Sequence, residues 1–146
     1  MPPIISAKRT AEHGKPKLIV AAIISYSMLI PIVFLDITIE IYHRICFWIY
    51  GLPYVKRRSY ISIDRGSLEY LGFWDKINCV YCGYANGFIH YAYKIMSETE
   101  KYWCPIKHES KKRKIKLIAP PHHKDFVKFG DEEALRKLYS SKSKKQ

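Results

Sequence analysis

The sequence predicts a mostly α-helical protein, with a kinked N-terminal membrane helix, an interfacial amphipathic helix, and a small helical domain stapled by a metal ion. Three observations lead there. Leu18 to Leu35 is a run of 18 residues without a charge. The residues after it, from Asp36 to Tyr50, place polar groups at helical spacing among isoleucines and aromatics. Further on, three cysteines and a histidine recur as C-x2-C-x21-C-x3-H.

Residues 1–17 form a basic N-terminal segment carrying Lys8, Arg9, Lys15 and Lys17. The apolar run that follows, LIVAAIISYSMLIPIVFL, would span about 27 Å as a helix, close to the hydrocarbon thickness of a bilayer. A chain of 146 residues offers little protein with which to bury such a helix on every side. The run is longer than a signal-peptide core, and bulky residues rather than a small-x-small site follow it. Pro31 lies inside it and should kink it, with the chain bending between Pro31 and Asp36.

Asp36, Glu40, His43 and Arg44 then share a helix with Ile37, Ile39, Ile41, Ile45, Phe47, Trp48 and Ile49, a pattern suited to the membrane interface. Gly51-Leu52-Pro53 ends this helix. The anchor therefore covers 18–58, with a transmembrane or re-entrant helix over 18–35 and an interfacial helix over 36–50. The polar face is expected to turn toward headgroups. Glu40-x-x-His43 also has the spacing of half a di-iron site, but no second Glu-x-x-His accompanies it. Trp48 suits the aromatic belt, and Lys56, Arg57 and Arg58 suit lipid phosphates. Basic residues flank both ends of the span, so sidedness rests on placing the C-terminal part in the cytoplasm, where thiols stay reduced. Cys46 reads as a small apolar residue or a lipidation site.

Residues 59–110 form the expected metal domain. Tyr60-Ile61-Ser62-Ile63 alternates like a short strand, Leu68 to Ile77 reads as a helix, and a longer helix is expected from about Tyr84 to Lys101. Cys79 and Cys82 are expected to face one ion from a tight turn, with Cys104 and His108 completing a closed tetrahedral shell. Zinc is the default ion for that shell, and iron also accepts thiolates. Two other readings stay open, buried inert thiols and a C-x-x-C redox couple. His90 reads as a packed helix residue, and His122 and His123, after Pro120-Pro121, as lesser metal candidates.

Residues 111–146 are a basic extension. Lys111, Lys112, Arg113 and Lys114 open it, a short helix should start at Gly130-Asp131 and run through Tyr139, and Ser140 to Gln146 should fray. The formal charge of +12 favours anionic partners in general. Beside an anchor, anionic lipid is the nearest, at about 1 kcal/mol per basic residue. No aromatic RNA-binding pattern or recognition helix surrounds the basic run, which sets nucleic acid behind lipid. No phosphate loop, dinucleotide turn or Ser/His/Asp set is visible either, so no reaction is defined.

Two resemblances follow from these motifs. CVYCGY followed by WCP resembles the two knuckles of rubredoxin, which implies iron ligation by Cys79, Cys82 and Cys104. The match departs at His108, four residues after Cys104, where rubredoxin has a cysteine three after, and in the helical spacer. More broadly, NCVYCGYANG and YWCPIKH are similar to a group of small bacterial proteins with an N-terminal hydrophobic segment. That resemblance implies a membrane-associated bacterial protein and carries no activity with it; with the C-terminal part in the cytoplasm, the inner membrane is the expected location. The expectation is a non-catalytic membrane module with a structural zinc, an accessory or interaction subunit of a larger membrane complex. The alternative is an iron protein passing electrons at the membrane surface.

Overall fold

The computed structural model describes residues 4–109 and 118–143. It is mostly helical, and the described residues contain no strand, only an isolated parallel bridge between Ile106 and Val127. Five α-helices follow in order: α1 (Ile4–His13), α2 (Lys15–Ser27), α3 (Leu29–Tyr50), α4 (Phe73–Trp103) and α5 (Glu132–Ser143). The chain divides into two compact units, Met1–Ile95 and Met96–Gln146, and residues 59–95 belong with the anchor helices. The basic run Lys111, Lys112, Arg113 and Lys114 lies outside the described residues.

In the first unit, Lys15–Tyr50 is long and apolar enough to cross a membrane, and none of its most apolar 18-residue window is buried. The irregularity expected between Pro31 and Asp36 falls instead at Met28, between α2 and α3. Proline explains the displacement. Pro31 has no N–H to offer the Ser27 carbonyl one turn back, and its ring crowds that carbonyl, so the ladder loosens on the N-terminal side. The Met28 amide turns to Ser25 O at 3.2 Å, and the Ser27 hydroxyl donates to Ile24 O at 2.7 Å. Beyond Met28, α3 runs unbroken, so the expected separate helix over 36–50 is the second half of a longer one.

Gly51 ends α3 in the left-handed region, at φ 64°. Its N–H donates to Trp48 O and that of Leu52 to Phe47 O, the paired closure of a Schellman motif. Leu52 then packs on the core formed by Ile39, Phe47, Phe88, Tyr91, Ala92 and Ile95. Tyr60 to Ile63 is not a strand. A 3₁₀ turn over Arg57–Ser59 leads into an irregular segment that lies on α4. Gly83 and Gly87, four residues apart on α4, make room for it. A Cβ at Gly83 would stand 2.8 Å from Ser62 O, and one at Gly87 2.6 Å from Tyr60 O and 2.9 Å from Ile61 Cα. Backbone against backbone is the closest packing a helix permits, and it requires glycine on the shared face.

Contacts between α2–α3 and α4 climb together along both helices. Tyr26 meets Asn78, Asp36 meets Tyr84, and Glu40 and His43 meet Tyr91. The two helices are therefore parallel, and residues 51–72 form the crossover.

In the second unit, α5 starts one turn after Phe129, where the Asp131 carboxylate accepts the Ala134 N–H at 2.9 Å as an N-cap. The bridge at Ile106 and Val127 is secured by Lys107 N–H to Val127 O at 2.8 Å and Val127 N–H to Pro105 O at 2.9 Å.

Candidate functional site

Two polar constellations stand out, one in each unit. The first lies on the inward face of α3, where Asp36, Ile39, His43 and Phe47 recur every three or four residues and are buried. Both Asp36 oxygens receive Arg57, through Nη1 and through Nη2 at 2.6 Å, and Tyr84 donates to Oδ2 at 2.7 Å. This forked pairing of guanidinium and carboxylate is the strongest ionic geometry available to side chains. The bond to Asp36 raises the Arg57 pKa further, and burial followed by the bond to Asp36 raises that of Tyr84.

Two turns on, the Val55 N–H donates to His43 Nε2 at 3.1 Å, which leaves the ring proton on Nδ1. Nδ1 faces the Tyr91 hydroxyl at 2.9 Å, and that hydroxyl donates to Glu40 Oε2 at 2.9 Å. Burial, then the Glu40 bond, holds the Tyr91 phenol well above its ordinary value of 10.0. The expected headgroup-facing surface of Asp36, Glu40 and His43 is thus corrected: it turns inward, onto α4 and the crossover. Arg57 is corrected with it, since it is committed to Asp36 and to the Tyr91 ring rather than to lipid. Trp48 (76% exposed), Lys56 and Arg58 remain at the surface.

The outward face of α2 and α3 is the converse. Ile23, Ile30, Phe34, Ile37, Ile41, Ile45, Trp48 and Ile49 are all exposed. Charge inside and aliphatic surface outside reverses the arrangement that water favours.

The second constellation lies in the second unit. Glu100, in the last turn of α4, accepts hydrogen bonds from two adjacent histidines: His122 Nε2 at 2.7 Å on Oε2 and His123 Nε2 at 2.9 Å on Oε1. Burial alone would raise the Glu100 carboxyl, but these two bonds outweigh it and hold it below its ordinary value. The Ser97 hydroxyl donates to His122 Nδ1 at 3.2 Å. His123 is buried in the 3₁₀ turn Pro121–Asp125, and Phe126 stacks on its ring at 4.6 Å. The Ile106–Val127 bridge brings His108 beside it, with ring centroids 5.5 Å apart. One ligating atom from each of Glu100, His108 and His123 lies within 4.8 Å of the others.

That group holds one of the four expected ligands, His108, and none of the cysteines. Cys79 and Cys82 lie in the interior of α4 rather than in a tight turn, the first half-buried and the second exposed. Amides inside a helix donate to carbonyls one turn back, so those that a turn would aim at a thiolate are already engaged. Cys104, exposed, follows the last residue of α4 and donates its N–H to Glu100 O at 2.8 Å. His90 is exposed rather than packed, and Cys46 is half-buried on α3. Reading the sequence alone misses Glu100, which nothing distinguishes from Glu98, whereas Pro-Pro-His-His was a usable signal. It also misses the Gly83-x-x-x-Gly87 spacing, which here lets the backbone of the crossover approach α4.

No protein-family model, curated protein or solved structure matches this chain.

Proposed function

We propose that the protein is a membrane-anchored, non-catalytic module, held by α2 and α3 and serving as an accessory or interaction subunit of a larger membrane complex. The observation that carries this reading is the reversed polarity of α3. Burying Asp36 and His43 while exposing Ile30, Phe34, Ile37, Ile41 and Ile45 is costly in water and favourable against lipid or another apolar helix. The polar groups are spent on one another, so the inner network is a lock between helices rather than an exposed acid or base. Interhelical hydrogen bonds such as Tyr84 to Asp36 are a means by which helices associate where hydrophobic attraction between them is absent.

In this reading the anchor sits in a bacterial inner membrane with the second unit in the cytoplasm, and Lys56 and Arg58 engage anionic headgroups. The test is isolation of the full chain from its native membranes. Resistance to alkaline carbonate extraction, and co-purification in mild detergent with a larger membrane protein at fixed stoichiometry, is the expected result. Release by carbonate, or turnover of a substrate by the isolated chain, would contradict it. Iron with reducible visible colour in the same preparation would favour the electron-transfer alternative.

A further inference from the structure

We propose that Glu100, His108 and His123 bind one divalent transition-metal ion of the zinc class, with His122 positioning the Glu100 carboxylate. Two imidazoles and a carboxylate are a donor set that zinc accepts, and three protein ligands leave one position for water or for a group from a partner. This differs in kind from a closed thiolate shell.

The site is built rather than assembled by chance proximity. Glu100 is fixed on the last turn of α4, and His123 is held by its 3₁₀ turn and by the Phe126 ring. His108 is brought in by the bridge two residues before it. Outside the three ligands, Ser97 orients His122, and His122 occupies the second Glu100 oxygen. Such a chain of hydrogen bonds behind a ligand is what fixes a carboxylate for metal binding.

The fit can be checked by distance. Zinc–nitrogen and zinc–oxygen bonds near 2.0–2.1 Å put tetrahedral ligand atoms about 3.3 Å apart. His123 Nε2 and Glu100 Oε1 stand at 2.9 Å, and the full set within 4.8 Å. His108 is exposed, so a side-chain rotation closes the remainder, and the same exposure gives the ion its entry. His123 gives up the hydrogen bond it donates to Glu100 and coordinates through Nε2, its proton moving to Nδ1, so the ring stays neutral.

The experiment uses the full chain in detergent, titrated with Zn²⁺ and, separately, with Co²⁺ as a spectroscopic probe. One equivalent should bind. The cobalt form should show ligand-field bands without thiolate-to-metal charge transfer. His108→Ala, which removes an exposed side chain, and Glu100→Gln should each weaken binding about tenfold or more, while the triple variant Cys79→Ser/Cys82→Ser/Cys104→Ser binds as the parent does. The helical circular dichroism of each variant must match that of the parent. Thiolate charge transfer, loss of binding in the cysteine variant, unchanged affinity in His108→Ala, or absence of stoichiometric metal would each overturn the assignment.

Discussion

The Asp36–Arg57 network and the Glu100–histidine cluster use similar hydrogen-bond lengths to different ends. In the first unit a carboxylate is matched by a guanidinium, tyrosine hydroxyls supply the remaining donors, and a backbone amide sets the tautomer of His43. Guanidinium and phenol are poor partners for a divalent ion, and the arrangement is complete as it stands. In the second unit a carboxylate is met by two imidazoles, and every one of those groups can ligate a metal. The first constellation closes a fold; the second offers donors to something else.

That contrast can be broken or sharpened in order of effect. Gly87→Ala should be the most damaging change. The added methyl meets the backbone of Tyr60 and Ile61, which cannot swing aside as a side chain can, at a cost of about 3 kcal/mol. Thermal unfolding in detergent measures it, and Gly83→Ala, with a single close carbonyl, should cost less.

Zinc should act only where the second unit offers ligands. At a hundredfold excess over its dissociation constant it stabilises the folded second unit by about 2.7 kcal/mol. Hydrogen exchange should then slow over residues 97–109 and 118–127 and stay unchanged in the crossover over 55–62.

Arg57→Ala comes next. It leaves Asp36 buried without its ionic partner, and the partial exposure of Arg57 places the cost between those of buried and surface pairs, at about 2 kcal/mol. Chemical denaturation reads it.

Tyr91→Phe should cost about 1 kcal/mol by removing the hydroxyl between Glu40 and His43. The parent should also lose stability in alkali. Because folding raises the Tyr91 pKa, the contribution is complete below its unfolded value of 10.0 and disappears as pH rises through the higher folded value. Tyr91→Phe should flatten the corresponding part of a stability profile measured above pH 10.

The helical class and the apolar anchor were legible because they depend on local periodicity and on Gly51, which stops α3 where the Gly-Leu-Pro triplet indicated. The last helix was legible from Asp131 in the same way, although it runs on to Ser143. What was not legible depends on partners distant in sequence. Asp36, Glu40 and His43 read as a headgroup-facing stripe because Arg57, Tyr84 and Tyr91, which turn them inward, lie up to 51 residues away. Cys79 to Cys82 read as a tight turn because two thiols two residues apart can face one ion from one, whereas here they lie inside α4, and Gly83 and Gly87 clear a path for the crossover. The His/Glu cluster joins the end of α4 to a 3₁₀ turn more than twenty residues later, and no local pattern announces that pairing.

The most direct test of the account is a spin-label scan of α3 in lipid vesicles, one label per variant at Phe34, Ile37, Ile41 and Ile45. Accessibility to oxygen, which partitions into lipid, is compared with that to a water-soluble nickel complex. The account predicts high oxygen and low nickel accessibility at all four positions, with the reverse at exposed Lys56. Nickel accessibility at the four α3 positions equal to that at Lys56 would show a water-facing surface and contradict it.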